Sequence, residues 1–275
     1  MKAKILIITA LLLTGCVKNS PSVEKDLKTT EIEKKIIEHY QISKKALAKA
    51  GENYAFFLPD ANGIAIFILD KNYNLLKKKV IPQLIEGKKL LYKNNKIYLL
   101  GYDQKENRPL ILTLDTNLNI ISKKYIGNKF DIPQDFFIKE KPVVLLTTYK
   151  NKADIEIVEG DKNYLFQAPD NELGKVIKPF NGGIIIIGSI QHPQEDLFIT
   201  FIKNGKIVWS KTYDFGLEDS PVKVEIKNQN IEIEVLSQDY MGAEKTYYIT
   251  VDKNGTIIKH KKGLEFKELP LRFRT

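Results

Sequence analysis

The side chains able to do chemistry are few and scattered. Histidines stand at His39, His192 and His260, without the close pairing that metal sites usually need. No serine sits in a G-x-S-x-G elbow. Neither G-x-x-x-x-G-K-[ST] nor G-x-G-x-x-G occurs, so no nucleotide cradle is present and no cofactor is expected. Carboxylates remain. They recur in polar stretches at Asp60, at Asp103 and Glu106, at Asp154, at Glu195 and Asp196, and at Asp239 and Glu244. Facing carboxylates can hold a cation, and two at a fixed separation can cleave a glycosidic bond as acid and base. Lys105, Arg108, Lys150, Lys152 and Lys245 are mixed among them, and Tyr102, Tyr149 and Tyr240 lie on or beside the same stretches. Both charges together with aromatic rings suit a contact surface more than a catalytic centre. No catalytic or metal-ligating residue is assigned.

The elements that position these stretches are repeats. Polar turns recur and align at Asn72, Asn117, Asp161, Asn204 and Asn254, with spacings of 45, 44, 43 and 50 residues. Five copies fill residues 43–263, and each holds four short segments. In the second copy these are 90–92, 96–102, 110–114 and 120–126; in the fourth, 176–177, 183–190, 197–202 and 207–213. The segments are rich in Ile, Val, Tyr, Phe and Thr and bounded by Asn, Gly, Asp and Lys, the pattern of strands joined by hairpins. Asn-Gly at 204–205 and 254–255 predicts tight turns whose two central residues take positive φ. Asn254-Gly255-Thr256 also matches a glycosylation pattern, but a hairpin accounts for it better.

Four strands per repeat of this length suggest a β-propeller blade. The runs 143–146, 184–187 and 198–202 are almost continuously apolar or uncharged. An antiparallel sheet with one wet face would alternate, whereas a middle strand covered on both faces would not. The fourth segments carry Lys77-Lys78-Lys79, Lys123-Lys124, Lys211, Lys259, Lys261 and Lys262. Lysine protects an unpaired strand edge from templating aggregation. The third copy breaks this rule with Tyr164-Leu165-Phe166-Gln167. The fourth copy, with Gly182-Gly183, Gly188, Asn204-Gly205, Trp209, Lys211 and Tyr213, resembles repeats of bacterial exported β-propeller proteins. That resemblance implies a fold and no particular chemistry. The expected fold class is all-β: a β-propeller of five blades, each of four antiparallel strands. In the alternative, both termini build a sixth blade, since residues 31–37 line up with the outer strands; residues 31–48 also read as a helix. In such a fold the carboxylate stretches all emerge on one face, as exposed loop charges.

The chain starts with Lys2 and Lys4, followed by an apolar run at 5–13. That run is too short to cross a bilayer core of roughly 30 Å, and its layout is that of a secretion signal. It ends in Leu13-Thr14-Gly15-Cys16, which contains the sole cysteine. This segment resembles a bacterial lipoprotein signal. The resemblance implies that residues 1–15 are removed and that Cys16 carries a diacylglycerol and an amide-linked acyl chain. At about 0.8 kcal/mol per buried methylene, several chains anchor a protein stably. Val17, where an aspartate would signal inner-membrane retention in some double-membrane bacteria, favours the outer membrane. Residues 16–30 read as a flexible tether spanning about 20 Å, and residues 31–275 as the folded domain.

The fold has no second cysteine for a disulfide, so packing must stabilise it. The net charge is +9; the export signal argues against nucleic acid as the reason. The expected function is that of an envelope lipoprotein acting as a binding or scaffold module. Its partners are membrane lipid through Cys16 and an envelope protein or glycan. The rival expectation is an envelope hydrolase acting on carbohydrate through carboxylates near a propeller axis.

Overall fold

The structure, a computed structural model, describes residues 30–82, 84–191, 194–239, 241–260 and 266–271. Cys16, the signal and nearly all of the tether lie outside the described residues, as do His192 and Tyr240. Among the described residues one α-helix precedes the strands, α1 (Glu31–Tyr40). Its start is written in the sequence: the Thr30 hydroxyl accepts from the Glu33 amide, and the Glu33 carboxylate accepts from the Thr30 amide. Ile32, Ile36 and Tyr40 recur every fourth residue and form its apolar face. Ile36 is fully buried, and the Tyr40 ring lies 4.5 Å from that of Phe56. The alignment of residues 31–37 with outer strands is therefore corrected: a fourfold repeat of apolar residues buries one helix face, whereas a strand would need alternation.

The strands form antiparallel meanders of four. The first is β1 (Leu47–Ala50), β2 (Asn53–Asp60), β3 (Gly63–Leu69) and β4 (Leu75–Pro82). The second is β5 (Leu84–Lys93), β6 (Lys96–Asp103), β7 (Arg108–Asp115) and β8 (Ile120–Tyr125). The third is β9 (Ile132–Ile138), β10 (Pro142–Tyr149), β11 (Ala153–Glu159) and β12 (Lys162–Phe166). The fourth is β13 (Asn171–Phe180), β14 (Gly183–Gln191), β15 (Glu195–Lys203) and β16 (Lys206–Asp214), and the fifth β17 (Glu218–Lys227), β18 (Asn230–Gln238), β19 (Glu244–Val251) and β20 (Ile257–His260). A single parallel bridge, Glu195 to Glu218, links the last two. The terminal strand β21 (Lys267–Pro270) pairs with β16. Among the described residues the two ends of the chain share no sheet.

The cores lie between consecutive meanders. Phe56 and Ile66 pack with Leu99 and Leu112; Leu100 and Ile111 pack with Val144 and Leu146. Val143 and Leu145 pack with Ile177 and Ile186, and Ile185 and Ile187 with Ile233 and Val235. Neighbouring residues of one strand thus serve different cores, because successive side chains point to opposite faces. This is why the middle runs are continuously apolar. Burying each such side chain contributes about 1.5–3 kcal/mol. The first strands form an inner row: β1 contacts β5, β5 contacts β9, β9 contacts β13 and β13 contacts β17.

The polar turns bind one meander to the next. The Lys77 ammonium donates to the Thr116 carbonyl at 2.9 Å, and Lys124 donates to the Gly160 carbonyl at 3.2 Å. Tyr164 stacks on the 204–205 turn, where a Cβ on Gly205 would meet its ring at 2.6 Å. Trp209 Nε1 donates to the Lys253 carbonyl at 2.9 Å. In four successive cases an outer strand leans on the next turn, and in the third copy Tyr164 does this without a lysine. At 204–205 both central residues take positive φ, 53° and 74°, as the sequence predicts. At 254–255 only Gly255 does, at 80°. There the Asp252 carboxylate accepts from the Asn254 and Thr256 amides at 2.8 Å each, closing a longer turn.

Candidate ligand site on the inner strands

Most of the eight carboxylates picked from the sequence serve their own meanders. Asp60 accepts from the Asn62 amide at 3.1 Å. Asp239 accepts from the Met241 and Ala243 amides at 2.9 and 3.0 Å. Asp103 is 1% exposed and takes the Lys105 and Glu106 amides at 3.0 and 3.2 Å, the Lys123 ammonium at 2.7 Å and the Tyr125 hydroxyl at 2.8 Å. Burial alone pushes the Asp103 carboxyl up; the donations from Lys123, Tyr125 and Glu106 outweigh it and hold it below the ordinary range. Asp154 is equally buried, 3.0 Å from Lys152, and accepts from Gln167 Nε2 at 2.7 Å. The expectation of exposed loop charges is thus corrected for Asp103, Asp154 and Asp196, because their side chains fold under the turns. Glu106 and Glu244 are exposed, and Glu195 is half-buried beside Lys175 at 3.2 Å.

Among the described residues carboxylates converge in three places. Asp196 meets Asp214 and Asp219, with one oxygen of each within 4.8 Å of the others. Asp154 meets Glu172, which shares Lys152 with it. Glu172 is fully buried, and its carboxyl is pushed up to about 7, chiefly by that burial. Burial also pushes Asp219 up to about 6. On β11, burial and the neighbouring Asp131 carboxyl hold Glu156 well above the ordinary range. Sequence reading passed over Asp131, Glu156, Glu172 and Asp219. A signal existed for Glu156: an acid inside the apolar run 153–158.

A different set of charges faces the inner row. Among the described residues β1, β5, β9 and β13 each pair with one strand only, so the backbone groups on their other edge need other donors and acceptors. Asp135 on β9 accepts from the Ile177 amide of β13 at 3.0 Å through one oxygen, and from the Phe136 amide at 2.9 Å and Lys89 at 2.6 Å through the other. Lys89 on β5 also donates to the Phe136 carbonyl at 2.8 Å. Lys93 donates to the Ile138 and Lys139 carbonyls, both at 2.9 Å. Before β1 the chain makes the 3-10 turn Lys44–Ala46, from which Lys45 reaches the Lys175 carbonyl of β13 at 3.3 Å. Four elements therefore meet around the Lys89–Asp135 pair.

Lys45 and Lys178 complete this group. Burial lowers both ammonium groups below the ordinary lysine range; Lys89 and Lys88 push Lys45 further down, as Lys89 and Lys44 do Lys178, while Asp135 pulls each back up and Glu225 also raises Lys178. Lys45 is exposed. Lys178 is half-buried and makes no hydrogen bond or ion pair with the described residues. A separate cavity of about 220 Å³ opens between the second and third meanders, lined by Tyr98, Ile111, Val144 and Val158 among others. Lys124 and Lys141 also line it, and none of the carboxylates named above does.

No described protein family matches the sequence, and no curated protein does. Among solved structures, hydrazine synthase of Kuenenia stuttgartiensis is similar in fold, with a TM-score of 0.57 and 9% identity over 82% of this chain and 65% of that one. The chain thus spans just under two thirds of that protein's length. The β-propeller domain of the Trilobed protease from Pyrococcus furiosus has a TM-score of 0.47 and 16% identity, covering 79% of this chain and 68% of that one. The Dos1 propeller has 0.43 and 11%, covering 77% and 68%. At these identities the likeness concerns the fold alone.

Proposed function

We propose that the chain is a binding module of the cell envelope, anchored by lipid on Cys16 and folded as a five-bladed propeller whose first strands surround a central recess. Five meanders with cores between consecutive sheets, and first strands in contact in chain order, support the blade count. The Leu13-Thr14-Gly15-Cys16 pattern supports the anchor. One observation favours binding over catalysis. Asp60, Asp103 and Asp239 are engaged in their own turns, whereas Lys45 and Lys178 in the inner row have no carboxylate within ion-pair distance among the described residues. A carbohydrate hydrolase would need two carboxylates facing an open cleft; Asp131 and Glu156, which do come together, are both buried.

The test is capture from detergent-solubilised envelope fractions by full-length protein and by a Lys45→Gln, Lys178→Gln variant. A component retained by the first and lost by the second supports the reading. Equal capture by both, with Asp239→Lys abolishing it, would move the docking site to the outer loops.

A further inference from the structure

Three carboxylates meet where the fourth meander passes to the fifth. Asp196 stands near the start of β15, Asp214 ends β16 and Asp219 stands near the start of β17. The backbone fixes these positions. The bridge between β15 and β17 joins Glu195 and Glu218, the residues just before Asp196 and Asp219. The Glu195 amide donates to the Leu217 carbonyl at 3.2 Å, and the Leu217 amide to the Gln238 carbonyl at 2.7 Å. One oxygen of each carboxylate lies within 4.8 Å of the other two. Asp196 is 8% exposed and Asp219 0%, while Asp214 is half-buried. The nearby lysines serve other acids: Lys175 binds Glu195 and Ser220, and Lys211 binds Glu268. Lys267 stands opposite Asp214 across the β16–β21 pairing, yet it makes no ion pair with it. Asp214 accepts from Gln194 Nε2 at 3.0 Å, and Asp219 accepts from the Phe215 amide at 2.7 Å through Oδ2. Burial raises the Asp219 carboxyl, and the Ser237 hydroxyl and the Phe215 amide draw it down. Even so, Asp219 Oδ1 is buried with no hydrogen-bond partner among the described residues.

We propose that Asp196, Asp214 and Asp219 form a divalent-cation site and that its occupant is calcium. A carboxylate oxygen taken wholly out of water without a donor is costly, and a cation removes that cost. It also relieves the mutual repulsion of three acids at this spacing. The donor set is all oxygen, which suits a hard cation and not zinc. Two ligands of one calcium ion, each at 2.3–2.6 Å, stand at most about 4.6–5.2 Å apart; magnesium at 2.0–2.1 Å allows only about 4.2 Å. The 4.8 Å span of the cluster matches the larger ion. Gln194 can turn its amide over and offer Oε1 in place of Nε2, since both ends of that group are polar. The ion would tie β15 and β16 of the fourth meander to β17 of the fifth, where the strands share a single bridge. None of these residues belongs to the inner row, so the cation site and the inner-row binding site stand or fall separately.

The experiment uses the full chain in detergent, stripped with a chelator that is then removed. Calcium, magnesium and zinc chlorides are titrated separately at constant ionic strength while thermal unfolding is followed, and bound calcium is counted by equilibrium dialysis. A ligand bound only by the folded state raises Tm with concentration. The expected result is a rise with calcium that exceeds the rise with magnesium, and one calcium bound per chain. Asp219→Asn and Asp214→Asn should each weaken calcium binding about tenfold or more, because ligand charge sets affinity at such sites. Asp161→Asn, at an exposed turn far along the chain, should leave it unchanged. Should Asp219→Asn fail to fold, Asp214→Asn carries the comparison, since its position is half-buried. Overturning results are no Tm rise and no bound calcium, or calcium binding that both variants keep. A response to magnesium or zinc alone would overturn calcium as the occupant.

Discussion

Replacing Glu172 by Gln should stabilise the protein at alkaline pH and do little at acid pH. Glu172 is fully buried on β13, and one of its oxygens has no hydrogen-bond partner. Burial pushes its carboxyl from 4.5 to about 7; Lys152 and the Ala168 amide pull it down, and Asp154 pushes it up. The native state therefore holds this proton more tightly than the unfolded chain does. Below about pH 4.5 both states are protonated and the group contributes nothing. Between that value and about 7 the unfolded chain ionises first, so stability falls as pH rises; above about 7 the loss is complete. A shift of this size corresponds to roughly 3 kcal/mol. Gln cannot ionise and escapes this loss. It forfeits the contact with Lys152 at 3.4 Å, which costs about 1 kcal/mol. The net gain at about pH 8 is roughly 2 kcal/mol, or about 4–8 °C in Tm for a domain of this size. Thermal unfolding by circular dichroism at about pH 5 and about pH 8 is the assay. Asp219 and Glu156 titrate in both proteins and cancel in the comparison. An equal Tm difference at the two pH values would refute the reasoning.

Other outcomes follow from the same structure. Asp103→Asn removes the charge that binds Lys123 and Tyr125 under a turn and should cost about 2–4 kcal/mol in urea unfolding, unlike a loop substitution. Gly205→Ala puts a Cβ 2.6 Å from the Tyr164 ring at φ 74° and should cost more than about 1 kcal/mol; a Tyr164→Ala background should relieve part of that loss. Cys16→Ala should abolish labelling by an alkyne fatty acid and release the protein from membranes or leave it unprocessed; an unlabelled parent would dismiss the lipid anchor.

The meanders were legible because each leaves a double signal: a β-rich run and a polar turn at a regular interval. The runs at 143–146 and 184–187 further showed that both faces are covered, and Val143 and Val144 do enter different cores. The helix was legible in the Thr30–Glu33 capping box and in Ile32, Ile36 and Tyr40, but a repeat alignment pulled residues 31–37 toward the strands. Loop carboxylates misled for a physical reason. An acid at a strand end can turn its side chain beneath the loop and accept backbone amides, as Asp103 does, and sequence does not distinguish this from an exposed charge. The inner lysines left a trace: Lys88-Lys89 precede the short apolar group 90–92, and Lys175 and Lys178 bracket 176–177. Reading much of the basic charge as an edge device hid it.

The distribution of charge shapes how the meanders hold together. Several of the buried acids accept backbone amides: Asp135 from Phe136 and Ile177, Asp131 from Asn128, Asp219 from Phe215. Some of the lysines are held by carbonyls: Lys77 by Thr116, Lys93 by Ile138 and Lys139. Backbone partners satisfy hydrogen bonds without cancelling formal charge. The meanders are thus locked together by side chain to backbone bonds, which salt screens little, while the lysines keep their field. Surface fields fade beyond a Debye length of about 8 Å at physiological ionic strength, but partly buried charges are screened much less. The bonds between meanders therefore hold under conditions that silence the lysines on the outer edges.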